Sequence, residues 1–148
     1  MQYKLELLVV LIRLLDLIID NGNYDGSITY DSGSIEYDNN GSKIVIHDWN
    51  KRGWGKITYD YGFAMSSNVG AAGLLRNGIL DKKVLKSCYT SYGFGQTTGF
   101  SLNREAKGSI KFNYEVDVAS ATFGQAITIT PIQMIQALTT LTNDLVSA

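Results

Sequence analysis

The first apolar run, Leu5 to Ile19, is nearly all aliphatic and is interrupted by Arg13 and Asp16. A bilayer-spanning helix needs about 20 apolar residues. This shorter run therefore predicts a buried helix, with Arg13 and Asp16 one turn apart and able to pair. Asn21-Gly22 supplies its stop. A secretory signal would place charge before the apolar core, which Lys4 partly does, and small residues at a cleavage site after it, which Asp20-Asn21-Gly22-Asn23 does not. A membrane-interacting segment is the second reading of this stretch.

From about Tyr24 to Asp60 the pattern changes to short alternating runs separated by turn residues. Residues 27–30, 34–37 and 43–46 read as short strands, with turns at Asp25-Gly26, Asp31-Ser32-Gly33 and Asn39-Asn40-Gly41. The repeated Tyr-Asp pairs are too irregular in spacing for a solenoid.

From Tyr59 onward the pattern is mainly helical. Phe63, Met65, Val69, Leu74 and Leu75 form one buried face that ends at Asn77-Gly78. Asp81 opens another helix, with Val84, Leu85 and Cys88 inward, ending before Gly93. A glycine-rich polar connection runs from Gly93 to Gly108. The last helix starts at Thr130, with Pro131 at its first position and Gln133 at its third. Ile132, Met134, Ile135, Leu138 and Leu141 make its apolar stripe.

Composition narrows the functional classes. The chain has 148 residues, 45% of them apolar, which suffices for one domain with a hydrophobic core. Thirteen basic and fourteen acidic side chains are spread evenly, giving a net charge of -1. That leaves no electropositive surface for nucleic acid and no polybasic strip for anionic lipid. The single cysteine, Cys88, excludes an internal disulfide framework and reads as a small buried apolar residue. The single histidine, His47, has no Cys, Asp or Glu at ligand spacing, so no metal is expected. Asp31, Asp38 and the asparagines near them do not match a calcium loop. Trp49, Trp54 and the nine tyrosines could line a carbohydrate surface, but in short strands they read first as core or half-buried packing.

Several segments occur in a fixed order: Asp48-Trp49-Asn50, Gly53-Trp54-Gly55, residues 62–70 (GFAMSSNVG), Tyr92-Gly93-Phe94-Gly95, residues 104–108 (REAKG), and residues 123–134 (FGQAITITPIQM). Together they make the chain resemble the class B penicillin-binding proteins, D,D-transpeptidases that cross-link peptidoglycan stems, from roughly residue 20 to 144. The resemblance implies an α/β fold. It would be a partial penicillin-binding-protein or serine β-lactamase-like transpeptidase fold, mostly its helical subdomain, with short strands at 24–60. Three parts are expected within one partial domain over 1–148: an atypical aliphatic helix at 1–20, strands and turns at 21–60, and a helical part at 61–148.

Three motifs surround the cleft in that family: Ser-x-x-Lys, Ser-x-Asn and Lys-Thr/Ser-Gly. This chain carries the second, Ser66-Ser67-Asn68. By resemblance, Ser66 and Asn68 are the candidate catalytic and substrate-binding residues. A hydroxyl both donates and accepts, so Ser66 can pass a proton between a nucleophile and a leaving nitrogen. Asn68 presents an amide to the substrate backbone, or to a β-lactam side chain, and to the catalytic lysine. Ser67 is the variable middle residue and points away. The bland reading of Ser66 and Asn68 is a helix cap in a polar turn. The segments at 123–125 and 130–134 read as scaffold bringing a loop into a helix start against the central helix. Ala126 stands where the family usually has glycine, and a positive φ there would strain it.

The nucleophile and lysine of the first motif would fall near Leu8 and Leu11. No serine, threonine or cysteine precedes Ser27, and no Ser-x-x-Lys occurs anywhere in the chain. Met1-Gln2-Tyr3-Lys4 keeps the spacing to lysine but offers a thioether, which cannot be acylated by this route. Thr97-Thr98-Gly99 follows Gln96, not lysine, so the third motif is also missing. In the family that motif lies on an edge strand beyond residue 148. The chain thus reads as a truncated piece with an altered or out-of-frame start, catalytically inactive by itself, and with apolar faces exposed where a sheet would pack. A coding frame that does not spell Ser-x-x-Lys near residues 8 to 13 would dispose of the altered start.

The resemblance implies peptidoglycan stem peptides and β-lactams as partners, cell-division proteins as further ones, no cofactor, and a place on the extracytoplasmic face of the cell membrane. Two other classes stay open: a non-enzymatic cell-wall or division interaction module, and an aromatic-rich carbohydrate-binding domain.

Overall fold

The structure, a computed structural model, describes residues 18–19, 22–100 and 104–146. The aliphatic run up to residue 17, with its expected Arg13–Asp16 pair, lies outside the described residues. Its last part is consistent with the expected helix. Ile18 and Ile19 are helical, Ile18 is buried, and Gly22 takes φ +69° while donating its N–H to Ile19 O at 2.9 Å. No helix among the described residues is long and apolar enough to cross a membrane.

Four strands occupy the stretch read as alternating: β1 (Thr29–Asp31), β2 (Ser34–Asn39), β3 (Ser42–His47) and β4 (Lys56–Thr58). They form two antiparallel pairs, β1 with β4 and β2 with β3. Asn39 pairs with Ser42 across a two-residue turn in which Asn40 and Gly41 have φ +53° and +84°, the left-handed pair that a tight hairpin demands. Lys43 and Glu36 form an exposed ion pair across this hairpin at 2.9 Å.

The helical reading from Tyr59 needs two corrections. The expected continuous face over 63–75 is split into α1 (Tyr59–Ala64) and α2 (Asn68–Arg76), because Ser66 takes φ +54° and stops the helix between them. A two-stranded ladder also intervenes later, β5 (Ser109–Ile110) with β6 (Ile127–Thr128), and α4 (Glu115–Ala121) lies between its strands. The helix α3 (Lys82–Ser91) begins as expected, with the Asp81 carboxylate accepting the Lys83 N–H at 2.6 Å. Leu85 and Tyr89 are its buried residues, and Cys88 is only half-buried.

The terminal helix α5 (Pro131–Val146) starts where expected. Gln133 N–H donates to Thr130 Oγ1 at 3.3 Å and Thr130 N–H donates to Gln133 Oε1 at 2.9 Å, a reciprocal capping box. Its expected stripe is wrong at Ile135, which is 60% exposed. The reason is Gln133. Its buried amide also donates to the carbonyls of Gln96 at 2.5 Å and Lys107 at 2.8 Å. That rotates Gln133, Met134 and Ala137 inward and turns Ile135, two positions on, outward.

The core has two lobes. One gathers Ile18, Tyr59, Leu74, Leu80, Leu85 and Phe94; the other joins Tyr37 and Ile46 of the hairpin to Ala71, Ala72, Val116 and Phe123. α2 gives Leu74 to the first lobe and Ala71 and Ala72 to the second, and Leu75 touches both, so α2 runs between them. The Tyr37 hydroxyl donates to Ala72 O at 2.8 Å, and Arg76 lies over the Tyr37 ring at 4.4 Å. Trp49, expected to be packed, is 66% exposed.

Candidate functional site

The turn between α1 and α2 carries Ser66-Ser67-Asn68, and three consecutive residues at the end of β3 and just beyond it hold it. The first, His47, is exposed, and its carbonyl accepts the Asn68 Nδ2 proton at 3.0 Å. The second, Asp48, is 1% exposed and accepts three donors: Gly33 N–H at 2.7 Å, Ser67 Oγ at 2.8 Å and Val69 N–H at 3.1 Å. A buried carboxylate survives only with such partners. The third, Trp49, donates its indole N–H to Met65 O at 3.0 Å and packs edge-on against Trp54, with ring centres 5.9 Å apart.

The cap of α2 is Ser67, whose Oγ accepts Gly70 N–H at 2.9 Å. Capping therefore falls on the middle residue, which turns into the protein, and neither Ser66 nor Asn68 provides it. Ser66 is half-buried in a left-handed backbone, and its hydroxyl makes no hydrogen bond among the described residues. Asn68 is half-buried at the first position of α2.

The glycines on either side fit the turn against β1. A side-chain carbon on Gly62 or Gly70 would collide with the Tyr30 hydroxyl, which is buried there without a hydrogen-bond partner. Burial pushes the Tyr30 phenol up to about 12. Asn50 steadies the loop that follows, accepting Gly53 N–H at 2.8 Å and donating to Gly53 O at 3.1 Å.

Two surface grooves flank Arg76, one of about 410 Å³ reaching Glu115 and one of about 350 Å³ reaching Asp31. Neither is lined by Ser66 or Asn68. Among the described residues no cluster of His, Cys, Asp and Glu could hold a metal ion.

Residues 14–147 match the penicillin-binding protein transpeptidase domain. The chain belongs to that family. It is 35% identical over 118 residues to stage V sporulation protein D of Bacillus subtilis (strain 168), a match that covers 77% of this chain and 17% of that protein. The structure is similar to penicillin-binding protein 2X of Streptococcus thermophilus, with a TM-score of 0.73 and 31% identity over 88% of this chain and 19% of that one. The TP domain of penicillin-binding protein 3 from Burkholderia pseudomallei shares the fold, with a TM-score of 0.69 at 20% identity over 88% of this chain and 39% of that one. This transpeptidase-family chain thus spans about a fifth or less of the length of the first two relatives. The mixed helix and short-strand architecture inferred from the ordered motifs agrees with these structures.

In the sequence Asp48 stood out only for its place in the order of segments, and Trp49 was read as packing, so neither was linked to the Ser66 turn. The available signal was an acid placed directly after the apolar strand residues Ile44, Val45 and Ile46, where burial of its side chain would require donors.

Proposed function

We propose that Ser66–Asn68 forms one wall of a D,D-transpeptidase cleft that takes D-Ala-D-Ala stem peptides of peptidoglycan and β-lactams. One observation carries this reading. The turn's other polar groups are used inward or along the chain, while the Ser66 hydroxyl has no hydrogen bond among the described residues. That hydroxyl can relay a proton to a leaving nitrogen, and the remaining donor and acceptor of the Asn68 amide can align a peptide backbone.

The chain contains no Ser-x-x-Lys. We infer that this polypeptide alone forms no acyl-enzyme, because Ser66 in this role relays protons and is not the group acylated. The family resemblance supports a site of action on the extracytoplasmic face of the cell membrane, with cell-division proteins as partners. Titration of the isotope-labelled chain with a penicillin and with D-Ala-D-Ala dipeptide tests the assignment by NMR. Shifts centred on Ser66 and the Asn68 side-chain amide are expected. Shifts confined to the Arg76 grooves would remove the assignment.

A further inference from the structure

We propose that Asp48 is the positioning residue of the Ser66 turn, holding Ser66 in its left-handed conformation without touching it. This deepens the cleft reading above and rests on it for its functional meaning. The geometry is specific. His47, Asp48 and Trp49 bond to Met65 O, Ser67 Oγ, the Asn68 side chain and Val69 N–H, and to nothing on Ser66. Ser66 is therefore fixed by its neighbours on both sides while its hydroxyl stays uncommitted.

A non-glycine residue at φ +54° is kept there only when its surroundings over-determine it. The end of α1 supplies part of that determination, with Ser66 N–H donating to Phe63 O at 2.9 Å and Ser67 N–H to Gly62 O at 2.8 Å, and Asp48 adds the tie to α2. Its Oδ1 takes both the side chain before α2 and the backbone N–H of the second α2 residue, and its Oδ2 is anchored by Gly33 on the far side. Asp48 N–H donating to Gly33 O at 3.0 Å closes the anchor. The carboxylate thus ties the β1–β2 turn to the start of α2, directly after Ser66.

The test compares the unsubstituted chain with Asp48→Asn by NMR. The replacement keeps the size of Asp48 but turns an N–H₂ toward one set of donors. The expected result is loss of the left-handed coupling constant and carbon shifts of Ser66. Val69 N–H should exchange about tenfold faster, while Tyr37 and Leu74 amides keep their protection. A merely structural carboxylate would lower protection throughout and leave the Ser66 signature in the folded fraction. That result, or an unchanged Ser66 in a folded Asp48→Asn chain, overturns the proposal. Should Asp48→Asn fail to fold, Ser67→Ala removes one Oδ1 donor together with the α2 cap, and retention of the left-handed Ser66 signature there overturns it equally. A penicillin titration of the unsubstituted chain that leaves Ser66 and Asn68 silent would sink the cleft reading without altering these outcomes.

Discussion

Ser67 Oγ gives its proton to Asp48 Oδ1 at 2.8 Å while accepting Gly70 N–H at 2.9 Å, so one hydroxyl both caps α2 and binds the helix to the strand hairpin. Ser67→Ala removes both bonds and leaves a buried carboxylate one donor short. Loss of about 1–3 kcal/mol of stability is expected, measured by urea unfolding. A change within a few tenths of a kcal/mol would show that neither bond matters.

Ala126 adopts φ +59°, a left-handed backbone that strains a residue with a side chain. The left-handed penalty of about 1–2 kcal/mol exceeds what glycine loses through its freer unfolded chain. Ala126→Gly should therefore raise stability by about 0.5–1 kcal/mol, seen as an increase of a few degrees in Tm. A lower Tm would contradict the strain.

Tyr30 places a buried, unpartnered hydroxyl between Gly62 and Gly70. Gly70→Ala should cost about 1–3 kcal/mol by overpacking. Tyr30→Phe, which removes an unsatisfied polar atom, should be neutral or stabilising. Combining them should recover part of the Gly70→Ala loss, and a double-mutant cycle with no coupling would refute the contact.

Five tyrosines, Tyr24, Tyr30, Tyr37, Tyr59 and Tyr89, have phenols raised above 10.0, chiefly by burial. Above pH 10 the unfolded chain loses protons that the folded chain keeps, so stability must fall as pH rises toward 12 and beyond. On the acid side, hydrogen bonds from Thr98 hold the Glu105 carboxyl below 4.5. Its contribution is present above that value and is lost as pH falls through the lower folded value. Chemical unfolding at stepped pH should show a decline at both ends, and stability rising from pH 10 to 12 would reverse the sign worked out here.

Legibility in the sequence followed how local each signal was. The Asn39-Asn40-Gly41 hairpin and the Thr130-Pro131-Gln133 helix start were readable because turn chemistry and capping act within a few residues. The two-residue strands β5 and β6 were not, since a ladder that short has no periodicity. The helix α4 was hidden by its Val-Asp-Val alternation, although Asp117 reaches back to the N–H groups of Asn113 and Tyr114. Ser66 and Asn68 were singled out by motif order. The partners that shape their turn, Asp48 above all, lie some 20 residues away and become visible only in three dimensions.

The central claim is that this chain carries the Ser66–Asn68 wall of a transpeptidase site without a side chain that can be acylated. Intact-mass measurement after incubation with an excess of benzylpenicillin tests it most directly. The expected result is an unchanged mass at every time point. A stable gain of one penicilloyl group, mapped by peptide digestion to a serine of the folded chain, would contradict it.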